Sequence, residues 1–188
     1  DKIMSSILKV DQLQDSGGNS IISSNGSGTF TPGSLNIANA QIASNAAIAT
    51  SKLGTGAILQ AVTGNEITVG VNTTSSSFVD SGLYVNITPS STSSKILVSA
   101  NFNARQSTSN GGTVSTIYRD STQLSSSGTL TLSAGGNIHD TTFIQYLDSP
   151  STTSQIAYKL YFYRLNTGTA YVSGDWGGAR MFALEVQG

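Results

Sequence analysis

The sequence predicts an all-β protein: an antiparallel β-sandwich, jelly-roll-like in its strand pattern, that follows an extended N-terminal segment. Apolar and polar residues alternate along residues 83–88 and again along residues 95–103, with a polar connection at residues 89–94. Alternation with a period of two, bounded by Pro and Ser, is typical of antiparallel strands with one face in a core. Further short alternating segments follow between turn residues, without a long helical period, which favours a sandwich.

Composition agrees with this fold class and excludes several functions. Ser, Thr and Gly fill 73 of the 188 positions, and only 10% of the residues are charged, against roughly 25% in an average domain. The net charge is −1 and the Lys and Arg residues are scattered, whereas nucleic-acid binding needs clustered cations. The absence of cysteine excludes disulfides and thiolate metal sites. No apolar run approaches the roughly 18 residues of a membrane-spanning helix, so we expect no membrane insertion. We also expect no cofactor.

The first of three predicted regions, residues 1–34, is interpreted as an attachment segment. Apolar runs at residues 7–10 and 21–22, separated by a turn at residues 15–19, indicate a small hairpin. A hairpin of this size is only marginally stable by itself, so we expect it to dock on a neighbouring subunit or a larger particle. The turn loosely resembles an oxygen-ligand calcium loop, but it lacks the later bidentate Glu, and a plain turn is the favoured interpretation.

The second region, residues 35–56, is an Ala- and Ile-rich linker or shaft in which apolar residues recur every five or six positions. As a helix, Ile42 and Leu53 would share one face, which suits a short coiled coil. As a fibre shaft, the same recurrence suits extended chains wound round a common axis. Neither arrangement buries its apolar stripe within one chain, so both predict a subunit interface. The predicted interface residues of this region are Ile37, Ile42, Ile48 and Leu53.

The third region, residues 57–188, is the predicted β-sandwich domain. Its candidate strands are residues 57–62, 66–71, 83–88, 95–103, 113–119, 129–132, 140–147, 155–165, 169–173 and 180–187. The larger apolar side chains of these segments predict the core. The predicted core residues are Ile96, Val98, Phe102, Ile117, Ile144, Ile156, Leu160, Phe162, Phe182, Leu184 and Val186.

One predicted strand, residues 155–165, is apolar on both faces. Leu160 and Phe162 alternate with Tyr161 and Tyr163, and a strand with two apolar faces is normally covered on both. The sandwich core covers one face, so the sequence predicts that a neighbouring subunit covers the other. Tyrosine suits such a contact because its ring is apolar and its hydroxyl tolerates a partly wet interface. We therefore place Tyr161 and Tyr163 in a subunit interface.

The sequence offers little for catalysis. His139 is the only histidine, and although Asp140 or Asp148 might orient it in a Ser–His–Asp triad, no G-x-S-x-G nucleophile motif occurs. Glycan hydrolysis needs two carboxylates at a defined separation, and most acidic residues of the third region stand singly beside turns, where Asp is favoured for local hydrogen bonding. We predict a protein that is not an enzyme, with no catalytic residue and no metal site.

One loop has notable binding chemistry. Residues 174–180 place the only tryptophan, Trp176, between glycines and beside Asp175 and Arg180. An exposed aromatic ring with polar neighbours is a common way to hold a sugar ring or a partner's side chain. Asp175, Trp176 and Arg180 are therefore the predicted ligand-binding residues. The alternative, which we favour, is that Trp176 caps the sandwich or fills a subunit contact.

Two stretches resemble a β-sandwich module of structural and fibre proteins from tailed, marine-type bacteriophages. Residues 78–98, FVDSGLYVNITPSSTSSKILV, are similar to the run VTGLSVSITPSSTSSKILV of that module. Residues 8–17, LKVDQLQDSG, are similar to its N-terminal LKVDxIQxxxG opening. The resemblance also covers the Ala- and Ile-rich stretch. It weakens beyond Asn103, where the closing residues 182–186, FALEV, remain similar.

This resemblance implies a non-enzymatic virion appendage: a fibre, tail-associated or head-decorating protein. We expect a homotrimer whose N-terminal segment binds other virion proteins and whose β-sandwich projects outward, with a host-surface glycan or receptor as a further partner. The alternative is a glycan- or receptor-binding adhesin module of bacterial extracellular origin. Such an adhesin needs a secretion signal or sorting motif, and the sequence shows neither.

Overall fold

The computed structural model describes residues 12–24, 27, 30–32, 42, 46, 52–125, 128–132, 139–173 and 178–188. These residues form fourteen strands: β1 (Gln12–Gln14), β2 (Ser20–Ser24), β3 (Phe30–Pro32), β4 (Ile58–Ile67), β5 (Val71–Thr73), β6 (Val79–Ile87), β7 (Lys95–Gln106), β8 (Gly112–Arg119), β9 (Thr122–Gln123), β10 (Thr129–Leu132), β11 (His139–Asp148), β12 (Ile156–Leu165), β13 (Ala170–Ser173) and β14 (Ala179–Val186). The chain divides into two compact units, Asp1–Ile48 and Ala49–Gly188.

The first unit contains a three-stranded antiparallel sheet in the order β1-β2-β3. The β1–β2 turn is built by Asp15, whose carboxylate accepts hydrogen bonds from the backbone N–H groups of Gly17 and Asn19, each at 2.9 Å. The side-chain amide of Asn19 donates a further bond at 2.9 Å, and these contacts lower the pKa of Asp15. Gly18 adopts a φ of 80°, which glycine tolerates. The segment is therefore a turn, as the sequence predicts.

The second unit, hereafter the head, is an antiparallel β-sandwich, which confirms the predicted fold class. Sheet I has the order β10-β8-β12-β6 with β9 beside β8, and sheet II has the order β4-β14-β7-β13-β5 with β11 also paired to β7. The long strand β7 organises sheet II, because β14 and β13 pair with successive parts of one edge and β11 pairs with the other. The first and last strands of the head are tied together, since Gln187 donates to the carbonyl of Ala57 and accepts from Gly56, both at 2.8 Å.

The core lies between the two sheets and follows the alternation that the sequence predicts. Leu160 and Phe162 of sheet I meet Val98 and Phe102 of sheet II, and these side chains are at most 1% exposed. The buried core also includes these larger side chains of strands β6, β7, β8, β11 and β12, together with Ala100: Leu83, Val85, Ile87, Ile96, Ile117, Ile144, Ile156 and Tyr158. Together they make a continuous apolar layer.

Strand β14 is turned over relative to the prediction. Phe182, Leu184 and Val186 were expected in the core, but Phe182 is 38% exposed and Leu184 and Val186 are only partly buried. The inward face of β14 instead carries Ala179, Met181, Ala183 and Glu185, all at 0% exposure. The prediction was wrong because both faces of this strand contain apolar residues, and the larger ones lie outside.

The predicted break between residues 62 and 66 is also absent, because β4 runs without interruption through Gly64. A Cβ atom on Gly64 would lie 2.1 Å from the carbonyl oxygen of Tyr84 in β6, so glycine is required by a close backbone approach. The next residue, Asn65, donates to the carbonyl of Gly82 at 2.8 Å and accepts from the backbone N–H of Tyr84 at 2.7 Å. This side chain therefore bonds the free edge of β6 and closes the sandwich where β4 and β6 meet.

The part of the chain that the structure describes contains no helix of the length and apolarity needed to cross a membrane. Most of residues 35–56 lie outside the described residues, so the choice between a coiled coil and a shaft stays a prediction. Of the predicted interface residues there, Ile37 and Ile48 lie outside the described residues. Ile42 and Leu53 are described, and both are exposed.

Candidate functional site

The outer face of sheet I carries an aromatic surface, hereafter the tyrosine face, formed by Phe78, Tyr84, Tyr118, Tyr161 and Tyr163. Alternation along β12 turns Leu160 and Phe162 inward and leaves Tyr161 and Tyr163 partly exposed on the opposite face. The sequence therefore placed both tyrosines on the correct side of the strand. Their role in a subunit interface stays a prediction.

The rings of the tyrosine face pack on one another across neighbouring strands. Tyr118 and Tyr161 are stacked with centroids 4.1 Å apart, and Phe78 meets Tyr163 edge-on at 4.8 Å. Tyr84 of β6 is 41% exposed. Strand β12 separates it from Tyr118 of β8, and Lys159 of β12 is in register with both tyrosines. Aromatic pairs of this kind stabilise by about 0.5–1.5 kcal/mol beyond area burial, so the rings hold one another in place on this face.

The charged groups beside the tyrosine face are paired. Lys159 donates to the carboxylate of Asp80 at 3.1 Å, and this hydrogen bond and the negative charge raise the pKa of Lys159. Gln123 accepts a 3.2 Å hydrogen bond from the hydroxyl of Tyr118. The face thus combines partly exposed rings with a neutral polar border, which is typical of a protein contact with an apolar centre.

The outer face of sheet II carries a second apolar surface. Leu147 of β11, Leu97 of β7 and Leu184 of β14 are direct cross-strand neighbours and form what we call the leucine row. Leu147 is 53% exposed, and Phe182, two residues before Leu184, also points outward. Sequence reasoning missed this row, because its three members come from distant segments and only the strand register brings them together.

The predicted ligand-binding loop is only partly described. Asp175 and Trp176 lie outside the described residues. Arg180 lies on the outer face of β14 and forms an ion pair with Glu66 at 2.6 Å. Both partners are well exposed, so the pair adds little stability. The ligand-binding role of Arg180 stays a prediction.

A buried carboxylate, Glu185, is the polar centre that sequence reasoning missed. Its Oε1 accepts hydrogen bonds from the backbone N–H of Ser90 at 2.7 Å and from the hydroxyls of Ser90 and Ser94 at 2.7 and 2.6 Å. Its Oε2 accepts from the side-chain amide of Gln60 at 2.5 Å. Burial raises the pKa of Glu185, but the bonds from Ser94, Ser90 and Gln60 outweigh it and hold the pKa below the usual value.

A second buried group links the two sheets. Asp148, 6% exposed, accepts two hydrogen bonds from Arg119 at 3.0 and 2.9 Å and one from the hydroxyl of Tyr158 at 2.7 Å. Burial and the negative charge of Asp148 raise the pKa of Tyr158 far above 10.0. Because the folded pKa exceeds the unfolded one, this network stabilises the head below about pH 10 and weakens at higher pH.

These contacts bear on the catalytic possibilities raised by the sequence. His139 and Asp148 stand at opposite ends of β11, about 30 Å apart at 3.3 Å per residue, so Asp148 does not orient this histidine. Asp80, Asp120 and Glu66 bond to nearby strand or turn groups, which are structural roles. Within the described ranges, no cluster of three His, Cys, Asp or Glu residues is arranged to hold a metal ion.

Comparisons with known proteins give a likeness of architecture. No protein-family model and no curated protein matches the chain. A chain in a structure of the infectious bursal disease virus Gx strain is 11% identical with a TM-score of 0.45, over 76% of this chain and 36% of that one. The VP2 subviral particle of the same virus is 12% identical with a TM-score of 0.39, over 68% and 37%. This chain therefore spans little more than a third of these proteins, and the likeness assigns it no activity or partner.

Proposed function

We propose that this chain is a non-enzymatic structural protein of a virion, in which the head is an assembling and projecting module. The observation that carries the proposal is that both sheets present apolar side chains outward, the tyrosine face on sheet I and the leucine row on sheet II. A single sandwich needs only its inner faces to fold, and exposed apolar patches of this kind mark contact sites. A structural subunit buries such faces against its neighbours.

The bacteriophage resemblance supports the same proposal through the residues that carry it. Ser90 and Ser94 belong to the ITPSSTSSK run, and Glu185 belongs to the closing FALEV segment. The hydrogen bonds between them show that these two similar stretches build one feature of the head. This common feature supports the proposal that the resemblance extends to the way in which the β6–β7 turn is held.

The proposal includes attachment through the N-terminal unit to other virion proteins. Leu13, Ile21 and Ile22 in the strands of that unit are each 40% or more exposed. A three-stranded sheet with such side chains in water is weakly stabilised by itself. Docking on another virion protein would bury them.

We expect the purified 188-residue chain to be a homotrimer, because closed cyclic assembly is the usual way for identical chains to bury the surfaces described above. Multi-angle light scattering should give about three times the chain mass of 19.4 kDa. A monomer at micromolar concentration would contradict this oligomeric state.

The location of the protein separates the virion proposal from the bacterial adhesin alternative. An antibody against the head should label intact virus particles at a regular position in electron micrographs. Labelling confined to the bacterial surface would favour the adhesin and overturn the proposal.

Host attachment, if the head provides it, is proposed to involve Trp176 with Arg180. Trp176→Ala should then abolish binding to host cells or to a polysaccharide array while the melting temperature and oligomeric mass stay unchanged. Glu66→Ala, which removes the ion pair with Arg180 and keeps the ring, is the matched control and should retain binding. Loss of the trimer in Trp176→Ala would make the tryptophan structural and end the recognition proposal.

A further inference from the structure

A cleft that is open to solvent lies at the side of the head, between β8 of sheet I and β11 of sheet II. Strand β10 pairs with residues 112–115 of β8, and β9 pairs with Tyr118 and Arg119. The cleft lies beside the residues around the gap between these two pairings, and residues 144–146 of β11 bound it across the sandwich. It exists because two short strands share one edge of β8 and leave a gap between them.

The cleft has a volume of about 110 Å³. A single buried water needs roughly 10–15 Å³, and a cavity of about 150 Å³ holds a benzene molecule. The cleft is therefore large enough for most of a small ring, and its open side leaves the rest of such a molecule in solvent.

The side chains that line the cleft are apolar on the inner side and polar elsewhere. Ile117 and Ile144 line it from the buried core, together with the partly buried Leu124. Most of the other lining side chains carry a hydroxyl or an amide group: Ser115, Thr116, Ser125, Gln145 and Tyr146. Among the described residues that line it, none is charged. An apolar wall with a few polar groups that fix orientation is typical of a small-molecule site.

This lining selects the chemical class of the ligand. An uncharged sugar ring has the same two kinds of surface, since its faces carry C–H groups and its edge carries hydroxyls. An acidic or phosphorylated ligand would need a cationic side chain to bind it, and a wholly apolar ligand would leave the hydroxyls of the cleft without partners.

The wall formed by Leu124 and Ser125 is held in place by hydrogen bonds within the head. The backbone N–H of Leu124 donates to the carbonyl of Ile117 at 3.0 Å. The carbonyl of Ser125 accepts from the hydroxyl of Thr116 at 3.3 Å and from the side-chain amide of Gln123 at 2.5 Å. A wall that is ordered before binding lowers the entropic cost of holding a ligand.

Ser115 provides an independent indication of a ligand. It lines the cleft and is 0% exposed, and its Oγ has no hydrogen-bond partner among the described residues. Buried polar groups in native proteins are nearly always paired, and an unpaired one calls for a bound water, ion or ligand that completes it. This hydroxyl therefore has an unused hydrogen-bonding capacity beside the cleft.

We propose that the cleft binds one uncharged sugar ring of a glycan, with Ile117 and Ile144 against the ring and the Ser115 hydroxyl bonded to one of its hydroxyls. The inference rests on the host attachment included in the proposed function, and it names the class of ligand. The site is separate from Arg180, which does not line the cleft.

Nuclear magnetic resonance of the isotope-labelled 188-residue chain tests the site with four probes, the methyl glycosides of glucose, galactose, mannose and N-acetylglucosamine. At least one probe should shift the methyl resonances of Ile117, Leu124 and Ile144 saturably, with a dissociation constant on the order of 1 mM for so small a ligand. The methyl resonances of Leu83, a core residue that does not line the cleft, should stay unchanged.

Two matched variants test the role of Ser115. Ser115→Ala and Ser99→Ala each remove a buried hydroxyl whose oxygen has no partner among the described residues, so neither should lower the melting temperature. Only Ser115 lines the cleft. Ser115→Ala should therefore weaken binding of the sugar by about fivefold, as for one lost hydrogen bond, while Ser99→Ala binds as the wild type does.

The outcomes separate this inference from the proposed function. Unchanged methyl resonances around the cleft with all four probes overturn the inference, and so does equal binding by the two serine variants. A lower melting temperature in Ser115→Ala without sugar binding would assign the hydroxyl to a structural water and also overturn it. None of these results changes the location of the protein on virus particles or its oligomeric mass, which test the proposed function by themselves.

Discussion

Replacing Glu185 by alanine is expected to destabilise the head by about 3–5 kcal/mol, because it leaves buried donors without an acceptor. Ser90, Ser94 and Gln60 all direct hydrogen bonds at this carboxylate, and the residue is 0% exposed. A loss of this size is a large part of the 5–15 kcal/mol that stabilises a typical domain. Urea unfolding followed by circular dichroism measures it directly.

Two control variants distinguish the buried carboxylate from an ordinary surface charge. Glu185→Gln retains the shape and one acceptor, so its loss should be smaller than that of Glu185→Ala. Glu66→Gln removes a carboxylate from an exposed ion pair and should cost less than about 1 kcal/mol. Equal losses in Glu185→Ala and Glu66→Gln would show that the Ser90–Glu185 cluster does not hold the head together.

Glu185 also predicts how stability depends on pH. Its pKa is lower in the folded head than the value of 4.5 expected in the unfolded chain. The stabilisation is therefore complete above about pH 4.5 and is lost as the pH falls through the folded pKa. Unfolding midpoints measured from pH 7 to pH 3 should fall less steeply in Glu185→Gln than in the wild type.

The second large effect is expected for Gly64→Ala, which should cost about 3–5 kcal/mol or prevent folding. The added Cβ atom would lie 2.1 Å from the carbonyl oxygen of Tyr84, and a backbone atom cannot move aside as a side chain can. Strands β4 and β6 would have to separate, which also breaks both hydrogen bonds of Asn65. Overpacking of this kind typically costs 1–3 kcal/mol, and each lost hydrogen bond adds about 1 kcal/mol.

Gly54→Ala is the matched control for this substitution. A Cβ atom on Gly54 would meet nothing within 4 Å, so the melting temperature should stay within a few degrees of the wild type. For a domain of this size, the loss expected for Gly64→Ala corresponds to a fall of about 10 °C. An unchanged melting temperature in Gly64→Ala would mean that β4 and β6 do not approach each other closely.

The fold was predictable wherever only one face of a strand is apolar. Strand β6 alternates cleanly, and its buried residues are those that the period of two indicates. Strand β12 is apolar on both faces, but its inward face was predicted correctly because Ile156, Leu160 and Phe162 share one face. Strand β14 was predicted with the wrong face inward, because the sequence ARMFALEV is apolar on both faces. The burial of Glu185 could not be predicted, because glutamate is normally exposed. It is buried here because distant residues donate hydrogen bonds to its carboxylate, namely Gln60, Ser90 and Ser94.

Of the two outer apolar surfaces, one could be predicted from the sequence and the other could not. Tyr161 and Tyr163 could be placed on an outer face from local alternation alone. The leucine row could not, because Leu97, Leu147 and Leu184 become neighbours only through the register of β7 with β11 and β14. The role of Asn65 could not be predicted either. A glycine followed by a polar residue is typical of a turn, whereas here both residues continue strand β4. Long-range register is the information that a single sequence does not contain in its local pattern.

The backbone hydrogen bonds of Gln187 with Gly56 and Ala57 bring the two ends of the head together, as in domains that can be inserted into other proteins. A segment whose two ends leave the fold side by side can be transferred into a loop of a different protein with little strain on the recipient. The head could therefore be exchanged between otherwise unrelated carriers during evolution while keeping its internal packing. For engineering, the same geometry makes it a candidate insert for display on the surface of another particle.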